Sequence, residues 1–435
     1  MMRSSRRLAA SLLLVAACKF PYPADVADDD AEPDARVACE ASTIVCDDAR
    51  GEYVACSASG TVDVLMRCPL GCAPDEEKCL DIDPHNGLAM YLDMVPDPPD
   101  LILDRPAIID TDTGAILNGA VGVTVPTFLH PYGDGGSIRV FVVGRLSVLA
   151  SLDVPAGDSS WSQAIRAAAE VNIMGPISID ADRDKPGPGG AGAQGHPGPQ
   201  GGLGCEGGEV HGSSTAEPGG GGAGGATPGG KGAATGQGDE TPGGLARVST
   251  EPLYGGCSGG SSAFSSPGAG GGALQISSRV RIRIADQGQI DASGGGALAG
   301  PIRSAGAGVG AGGVILLEAP QVLLEGPNVV LSTKGGGGAG GGEATRAGDG
   351  ADGGTDATPA LGGSAPALAA GGRGGMDTGP QNGFYSQLVP GNGGGGGGAA
   401  GRTIASTTVG VIAPQNGAAI RGPLTTERIR TRRVP

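Results

Sequence analysis

Cysteine, histidine and carboxylate side chains are the residues of this sequence whose types and spacing could support chemistry. The chain has 435 residues, with nine cysteines and four histidines. One cysteine lies near the N-terminus, six lie in a short window and two lie far downstream: Cys18; Cys39, Cys46, Cys56, Cys68, Cys72 and Cys79; Cys205 and Cys257. A thiol can be a nucleophile, a metal ligand or a disulfide partner, so the surroundings of each group decide its role.

Cys18 follows a segment with the layout of an export signal. Three arginines precede an apolar run, Leu8–Ala17, which is too short to cross a bilayer of roughly 30 Å as a helix. The sequence Leu14-Val15-Ala16-Ala17-Cys18 resembles the lipobox of bacterial lipoproteins. The resemblance implies a signal peptide at 1–17 and an acylated Cys18, with palmitate-type chains holding the protein to the membrane. An ordinary secretory signal with an unrelated cysteine is the alternative.

The position after Cys18 bears on localisation. In the lipoproteins that this segment resembles, an aspartate there retains the protein at the inner membrane. This chain has Lys19 instead, which favours the outer membrane and the cell surface. Residues 18–38 combine prolines with a run of aspartates, so stiffness and like-charge repulsion predict an extended tether.

Charge excludes one class of partner. The chain has 29 lysines and arginines against 45 aspartates and glutamates, a net charge of −16. Nucleic-acid binding requires clustered positive charge on the protein, so a nucleic-acid partner is not expected.

The six clustered cysteines predict a small disulfide module at 39–82. A segment this short with few apolar residues cannot bury enough surface to fold without covalent support. Strands are expected at 52–56 and 62–66, with the pairing of the cysteines left open. A zinc site is the alternative, because Cys68 and Cys72 have ligand-like spacing. The spacing and the Gly71-Cys72 pair resemble a small module of myxobacterial surface lipoproteins, and the resemblance implies no catalytic residue.

Residues 83–435 predict a mainly β domain with glycine-rich insertions near 183–272, 294–312 and 335–401. Alternation in segments such as Val280–Ile284 indicates strands with one buried face. The segment from Gly272 aligns without a gap on the segment from Gly313, and Ile179-Asp180 aligns with Ile290-Asp291 as part of an earlier copy. Such copies favour a parallel β-helix-like stacked coil. An antiparallel β-sandwich with disordered glycine-rich loops is the alternative.

The glycine-rich insertions account for much of the composition, since 87 residues of the chain are glycine. A bond between Cys205 and Cys257 would restrain the first insertion and leave no unpaired cysteine there. Whether these segments pack as neighbouring extended chains or stay mobile is open at this point. The strand-then-glycine layout, including Ile290–Gly294 and Gly393–Arg402, resembles glycine-rich, PGRS-like surface lipoproteins of myxobacterial type. That resemblance implies an exported structural or adhesive role.

Motifs for catalysis are missing from the sequence, and neither an enzymatic activity nor a cofactor is expected. Asp180 and Asp291 end predicted strands, where they either line a polysaccharide-degrading face or serve as turn residues. Asp349, Asp352 and Asp356 lie in a glycine–aspartate stretch that is a weak calcium candidate. Asp110 and Asp112, in a separate segment, are a second pair of carboxylates that could bind calcium. The expected partners are the membrane and envelope or extracellular polysaccharide or surface proteins. The alternative function is a carbohydrate-binding or polysaccharide-degrading protein.

Overall fold

The computed structural model describes most of the chain from Ile44 to Val434. The described ranges are 44–47, 52–59, 62–68, 70–73, 78–132, 136–156, 161–192, 206–208, 217–234, 240–247, 249–262, 264–365, 369–385 and 392–434. The signal and tether, Cys18, Cys39 and Cys205 lie outside these residues. The fold is mainly β, with 31% strand and 2% helix, and contains parallel and mixed sheets.

The cysteine-rich module forms a three-stranded antiparallel sheet of β1 (Ile44–Asp47), β2 (Glu52–Cys56) and β3 (Val62–Arg67). The expectation of disulfides is confirmed. Cys46 bonds to Cys72 and Cys68 bonds to Cys79, with Cα–Cα distances of 5.7 and 5.1 Å. Cys56 is also disulfide-bonded. The predicted strands over 52–56 and 62–66 are both present.

A short segment links this module to the main sheets. β4 (Cys79–Ile82) pairs antiparallel with the C-terminal strand β25 (Thr431–Val434), so the segment before the main sheets is joined to the C-terminal strand. A 3-10 turn (His85–Gly87) and one short helix, α1 (Met90–Asp93), follow. The mainly β domain expected from residue 83 begins with this non-strand segment, in which Leu88, Tyr91 and Leu92 pack against Ile138 and Val140.

Three sheets contain the remaining strands, and their order in space differs from their order in the chain. The seven-stranded sheet contains β9 (Thr127–Pro131), β10 (Ser137–Val143), β13 (Ser162–Ala167), β16 (Ala273–Ser278), β19 (Val314–Glu318), β22 (Arg402–Thr407) and β24 (Leu424–Arg428). The five-stranded sheet contains β5 (Leu101–Leu103), β11 (Leu146–Val148), β14 (Val171–Ile173), β17 (Arg281–Ala285) and β20 (Gln321–Glu325). The eight-stranded sheet contains β6 (Ala107–Ile109), β7 (Ile116–Asn118), β8 (Val121–Val123), β12 (Leu152–Asp153), β15 (Pro176–Ser178), β18 (Gln289–Asp291), β21 (Val330–Ser332) and β23 (Ala419–Arg421).

Adjacent strands in these sheets are parallel, except that β9 pairs antiparallel with β10 and β7 pairs antiparallel with β6 and β8. From β10 to β21 the chain visits the three sheets in the same sequence four times. Each pass therefore adds one parallel strand to each sheet. The antiparallel strands lie at one edge of their sheets. The antiparallel β-sandwich, which was the alternative fold, does not account for the parallel pairs.

The apolar core lies between the sheets. Ile282 and Ile284 are fully buried while Arg281 and Arg283 are half-buried, as the alternation predicts. In the five-stranded sheet, Leu146, Val171, Ile282 and Val322 occupy one register position. Burial of such side chains stabilises the fold by about 1.5–3 kcal/mol each.

The pairing also corrects the register of the earliest repeat copy. Ala273 pairs with Val314, as the aligned copies predict. Ile290, however, pairs with Ile177 and not with Ile179. The sequence alignment places the earliest copy two residues out of register. Ile177 and Ile179 are both buried, and a two-residue shift keeps the same side chains facing inward, so the alternation does not distinguish the two registers.

The described parts of 183–272, 294–312 and 335–401 form one hydrogen-bonded array, here called the glycine lattice. Every third residue of an extended segment donates its backbone N–H to the same neighbouring segment. In segment 392–401, N–H groups bond as follows: Gly393, Gly396 and Ala399 to the carbonyls of Glu217, Gly220 and Ala223; Gly394 and Gly397 to Phe384 and Gln381; Gly395, Gly398 and Gly401 to Ala339, Gly336 and Thr333. A period of three residues is that of a polyproline-II helix, here without proline.

The lattice requires glycine because its chains approach too closely for side chains. A Cβ atom on Gly395 would lie 1.8 Å from the carbonyl oxygen of Ala307, and one on Gly350 would lie 1.6 Å from that of Gly337. Small apolar side chains occupy the few wider positions, where Ala307, Val309 and their neighbours form a buried cluster. Most of the described glycines in these blocks therefore lie in closely packed chains, while Gly354 and Gly379 face open space.

Alanine substitution at two neighbouring glycines tests this packing. Gly350→Ala should lower the free energy of unfolding by about 3 kcal/mol or more, because the methyl group meets a backbone carbonyl that cannot turn away. Gly354→Ala is the matched control, since a Cβ there meets nothing within 4 Å. Chemical denaturation followed by circular dichroism measures both. Equal stabilities of the two variants would contradict the close packing.

Candidate functional site: an acidic row beside the glycine lattice

Polar side chains lie in register along the outer face of the eight-stranded sheet. The paired positions, taken from β12 through β23, are Asp153, Ser178, Asp291, Ser332 and Arg421. They alternate with buried residues such as Ile177 and Ile290, so the strand period turns them all to the outer face. Asp180 lies two residues beyond Ser178 on this face. We call Asp153, Asp180 and Asp291 the acidic row.

Hydrogen bonds hold the row in place. Asp291 accepts bonds from the backbone N–H of Ser293 at 3.0 Å and from its hydroxyl at 2.6 Å. The hydroxyl groups of Ser293 and Ser332 are 3.0 Å apart, and Ser178 donates its hydroxyl to Asp180. The two strand-end aspartates predicted from the sequence therefore lie on one face of the same sheet.

Burial changes the acidity of the row. Desolvation, with a smaller contribution from the charge of Asp180, raises the pKa of Asp291 to about 6. Burial also raises the pKa of Asp180, and the charges of Asp153 and Asp352 add to the effect. Desolvation raises the pKa of Asp153. A carboxyl group with a pKa of about 6, like that of Asp291, can exchange protons near neutral pH, which is a property of acid–base sites and of buried structural carboxyls alike.

The third glycine-rich insertion covers one side of the row. Lys334, which is 1% exposed, binds the Asp356 carboxylate at 2.7 Å, and its charge acts on Asp291. Asp352 accepts the backbone N–H of Gly296 at 2.6 Å, and Asp349 accepts that of Ala299 at 2.8 Å. The weak calcium candidates are thus bound to protein donors.

These three aspartates do not form a compact ligand group. Within the described ranges, the one group with ligand atoms all within 4.8 Å of one another is Cys46, Cys68 and Cys72, whose sulfurs belong to disulfides. Asp110 accepts bonds from the backbone N–H groups of Asp112 and Thr113, which makes it a turn residue.

Sequence reasoning missed a second polar cluster, on the outer face of the seven-stranded sheet. His85 binds Glu318 through Nδ1 at 2.7 Å and Glu427 through Nε2 at 3.0 Å. Burial opposes protonation of His85, but the hydrogen bond and charge of Glu318 outweigh it and raise the pKa of the imidazole. Gln275 and Ser277 also donate to Glu318, at 2.6 and 2.7 Å.

Arg166 lies beside this cluster and is fully buried. Its three guanidinium nitrogens have no hydrogen-bond partner among the described residues. Desolvation lowers its pKa to about 10, so it stays charged at neutral pH, with Glu318 and Asp81 as its counter-charges. No local pattern in the sequence signals this cluster, because His85 and Glu318 are 233 residues apart in the chain.

The arginine-rich C-terminus is also tied down. Arg432 binds Asp81 at 3.1 Å and Asp93 at 2.7 Å, and Arg430 binds Glu251 at 2.7 Å. The two Arg432 pairs join β25 to β4 and α1, and the Arg430 pair joins the residue before β25 to the first glycine-rich insertion. The C-terminal segment is therefore a paired strand up to Val434.

Two further findings complete the description. Comparisons with protein families, with curated proteins and with solved structures find no match to this chain. Within the described ranges, no helix has the length and hydropathy that crossing a membrane requires.

The acidic row predicts a specific dependence of stability on pH. The folded-state pKa of Asp291 is about 6, above its ordinary value of 3.8, so the folded protein binds this proton more tightly than the unfolded chain. The contribution of Asp291 to stability should therefore fall as the pH rises from about 4 to about 6. Asp291→Asn should unfold at a higher temperature than the wild type at pH 7, and the difference should shrink towards pH 4. A difference that is the same at both pH values would contradict the raised pKa.

Proposed function

We propose that this protein is an exported, lipid-anchored surface protein with a structural or adhesive role in the bacterial envelope. Its anchor is Cys18, its tether is 18–38, and its folded part extends outward as a rigid body. The glycine lattice carries this proposal, because it turns the most glycine-rich parts of the chain into packed structure. No catalytic activity is part of the proposal.

The arrangement of strands supports a parallel β-helix as the folded part. Four successive passes of the chain each add one parallel strand to each of three sheets. Parallel strands need crossover connections, and here these are a neighbouring strand or a glycine-rich insertion. A coil of this kind stacks its repeats along one axis, which suits a protein that has to hold a position away from the membrane.

The lattice supports a structural role because it satisfies its backbone groups internally. The N–H groups of Gly393 to Gly398 all bond to carbonyls of neighbouring segments, at 2.8–3.3 Å. Local opening would break several such bonds together, so the segments should resist proteolysis better than linkers of the same composition.

The cysteines support export. Disulfides persist in oxidising compartments and are rare in the cytosol. Cys46–Cys72 and Cys68–Cys79 are bonded, and Cys257 is disulfide-bonded within the lattice, packed against Ala223 and Ala311. The predicted partner Cys205 lies outside the described residues. Export and acylation themselves rest on the sequence at 1–19.

A second candidate is a protein that acts on polysaccharide at the acidic row. The raised pKa of Asp291 beside Asp180 favours it, since general acids need a proton near neutral pH. Cleavage of an acidic or neutral polysaccharide by the purified protein, abolished in Asp291→Asn, would replace the structural role with this one.

Substitution of Cys18 tests the anchor. Cys18→Ser removes the thiol that would carry the acyl chains, so the protein should move from the membrane fraction to the soluble fraction. Attachment by two or three acyl chains is stable, since each buried CH₂ contributes about 0.8 kcal/mol. Fractionation followed by immunoblotting measures the distribution.

Lys19→Asp is the matched control for this experiment. It keeps Cys18 and should leave the protein membrane-bound while shifting it from the outer to the inner membrane. Membrane retention of Cys18→Ser equal to that of the wild type would overturn the lipid anchor.

A further inference from the structure

His85 lies where the segment before the main sheets meets the last strands of the chain. Its side chain is 5% exposed, and carboxylates face its ring from three separate elements. Nδ1 lies 2.7 Å from Glu318 of β19, while Nε2 lies 3.0 Å from Glu427 of β24 and 3.8 Å from Glu251 of the first glycine-rich insertion. One imidazole therefore connects four parts of the chain that are distant in sequence.

These contacts favour the ring with both nitrogens protonated. A neutral imidazole has one N–H donor, and its other nitrogen carries a lone pair. With the proton on Nδ1, the lone pair of Nε2 faces Glu427 and Glu251; with the proton on Nε2, the lone pair of Nδ1 faces Glu318. Either neutral form sets a lone pair against a carboxylate, whereas the protonated ring attracts all three.

The remaining groups around the ring leave this preference in place. The neutral ones donate hydrogen bonds to the carboxylates: Gln275 and Ser277 of β16 to Glu318, and Ser406 of β22 to Glu427. Burial, the largest effect, opposes protonation of His85, and so does the charge of Arg430, which binds Glu251 at 2.7 Å. The hydrogen bond and charge of Glu318, together with the charge of Glu427, outweigh both and raise the pKa of His85.

Loss of the proton would act mainly on the contact with Glu427. The backbone N–H of His85 donates to Glu318 at 3.0 Å whatever the charge of the ring, and a neutral ring can keep its proton on Nδ1. The attraction between Nε2 and Glu427 has no such substitute. The ring would therefore stay bound to β19 and lose its hold on β24.

β24 is weakly held by other means. It is the edge strand of the seven-stranded sheet, where it pairs with β22. Four of its five residues are exposed, Leu424 among them, and Glu427 is partly buried. A strand that buries little apolar surface belongs to the part of a fold that opens first.

β25 has a firmer hold than β24. It pairs with β4, and Arg432 binds both Asp81 and Asp93. Carboxylates and guanidinium groups keep their charges near neutral pH, so these ion pairs do not respond to the proton on His85. Opening should therefore be limited to β24 and the two residues that follow it.

We propose that His85 is a proton-operated latch on β24. The protonated ring holds β24 in the sheet, and loss of the proton lets β24 separate while β25 stays paired with β4. Separation would leave β22 as the edge strand, with backbone groups open to pairing with another strand. This inference concerns a regulated opening of the fold and depends on neither the lipid anchor nor the surface role.

The direction of the pH dependence follows from two shifts. The pKa of His85 in the closed state lies above the ordinary value of 6.5, so the latch should be complete below about pH 6.5 and lost as the pH rises through the higher value. Burial raises the pKa of Glu318, but the hydrogen bond and charge of His85 outweigh it and lower the pKa below the ordinary 4.5. Acid should therefore weaken the contact only below about pH 4.5.

Hydrogen–deuterium exchange of the full chain in detergent, from pH 6 to pH 9, tests the latch. Rates are corrected for the intrinsic dependence of amide exchange on pH. Peptides that cover β24 should exchange severalfold faster at pH 9 than at pH 6, because the open state is more populated. Peptides from β4 and β16 should show no such step.

Three variants assign the step to the ring. His85→Gln cannot be protonated, so its β24 should exchange at every pH as the wild type does at pH 9. Glu427→Gln should make the step smaller, since Nε2 then faces a neutral amide. His130→Gln is the matched control and should keep the step, because Nδ1 of His130 contacts the hydroxyl group of Tyr91 at 3.0 Å and not a carboxylate. Circular dichroism shows that each variant is folded.

Three results would overturn the latch: equal corrected exchange of β24 at pH 6 and pH 9 in the wild type, an undiminished step in folded His85→Gln, or a step of the same size in β16, which would mean that the whole fold loosens. If His85→Gln does not fold, Glu427→Gln decides in its place, and an undiminished step in that variant would reject the proposal.

Discussion

Hydrogen bonding between backbones without side chains is the interaction on which this structure depends. A buried backbone N–H or C=O group is costly if it lacks a hydrogen-bond partner, and long insertions contain many backbone groups that need one. Helices and sheets solve the problem in one dimension or in a plane. Here the absence of Cβ atoms lets chains approach from several directions, so that Gly393, Gly394 and Gly395 donate to three different neighbouring segments. The cost is the large conformational entropy that glycine loses on ordering.

The sheets provide the frame that makes this ordering possible. All three insertions leave a strand of the eight-stranded sheet and return to a strand of the seven-stranded sheet: from β15 to β16, from β18 to β19 and from β21 to β22. The three strands from which the insertions start are neighbours in one sheet, and the three strands to which they return are neighbours in another. Segments that begin and end side by side can reach the same lattice with little further search, and the disulfide of Cys257 restrains the first of them.

The segment before the main sheets and the C-terminal strand together close the other side of the frame. β4 and β25 pair with each other, and Asp81 binds both Arg279, which directly follows β16, and Arg432 of β25. His85 adds a buried contact to Glu318, at a sequence separation of 233 residues. These charged groups form a cover over the outer face of the seven-stranded sheet. Their removal from water is compensated by mutual pairing, except at Arg166.

Local patterns predicted the strands well and the tertiary contacts poorly. The alternation around Ile282 and Ile284 identifies an inward face directly. The clustered cysteines predict disulfides, and Cys46–Cys72 and Cys68–Cys79 form them. The two-residue displacement at Ile177 arose because alternation has a period of two and cannot tell Ile177 from Ile179. The sequence could not predict that the glycine-rich blocks are ordered, since glycine has no side chain to show which face is buried. The contact of His85 with Glu318 joins positions too distant in sequence for any local pattern to reveal.

Hydrogen–deuterium exchange of the lattice amides tests the central claim most directly. Mass spectrometry of peptides from 304–313, 334–342 and 392–401 would compare their exchange with that of β16 and β19. The lattice account predicts protection of these glycine amides close to that of the strands, because they share one hydrogen-bonded unit. Exchange of the glycine-rich peptides at the rate of an unstructured chain, with the strands protected, would contradict it.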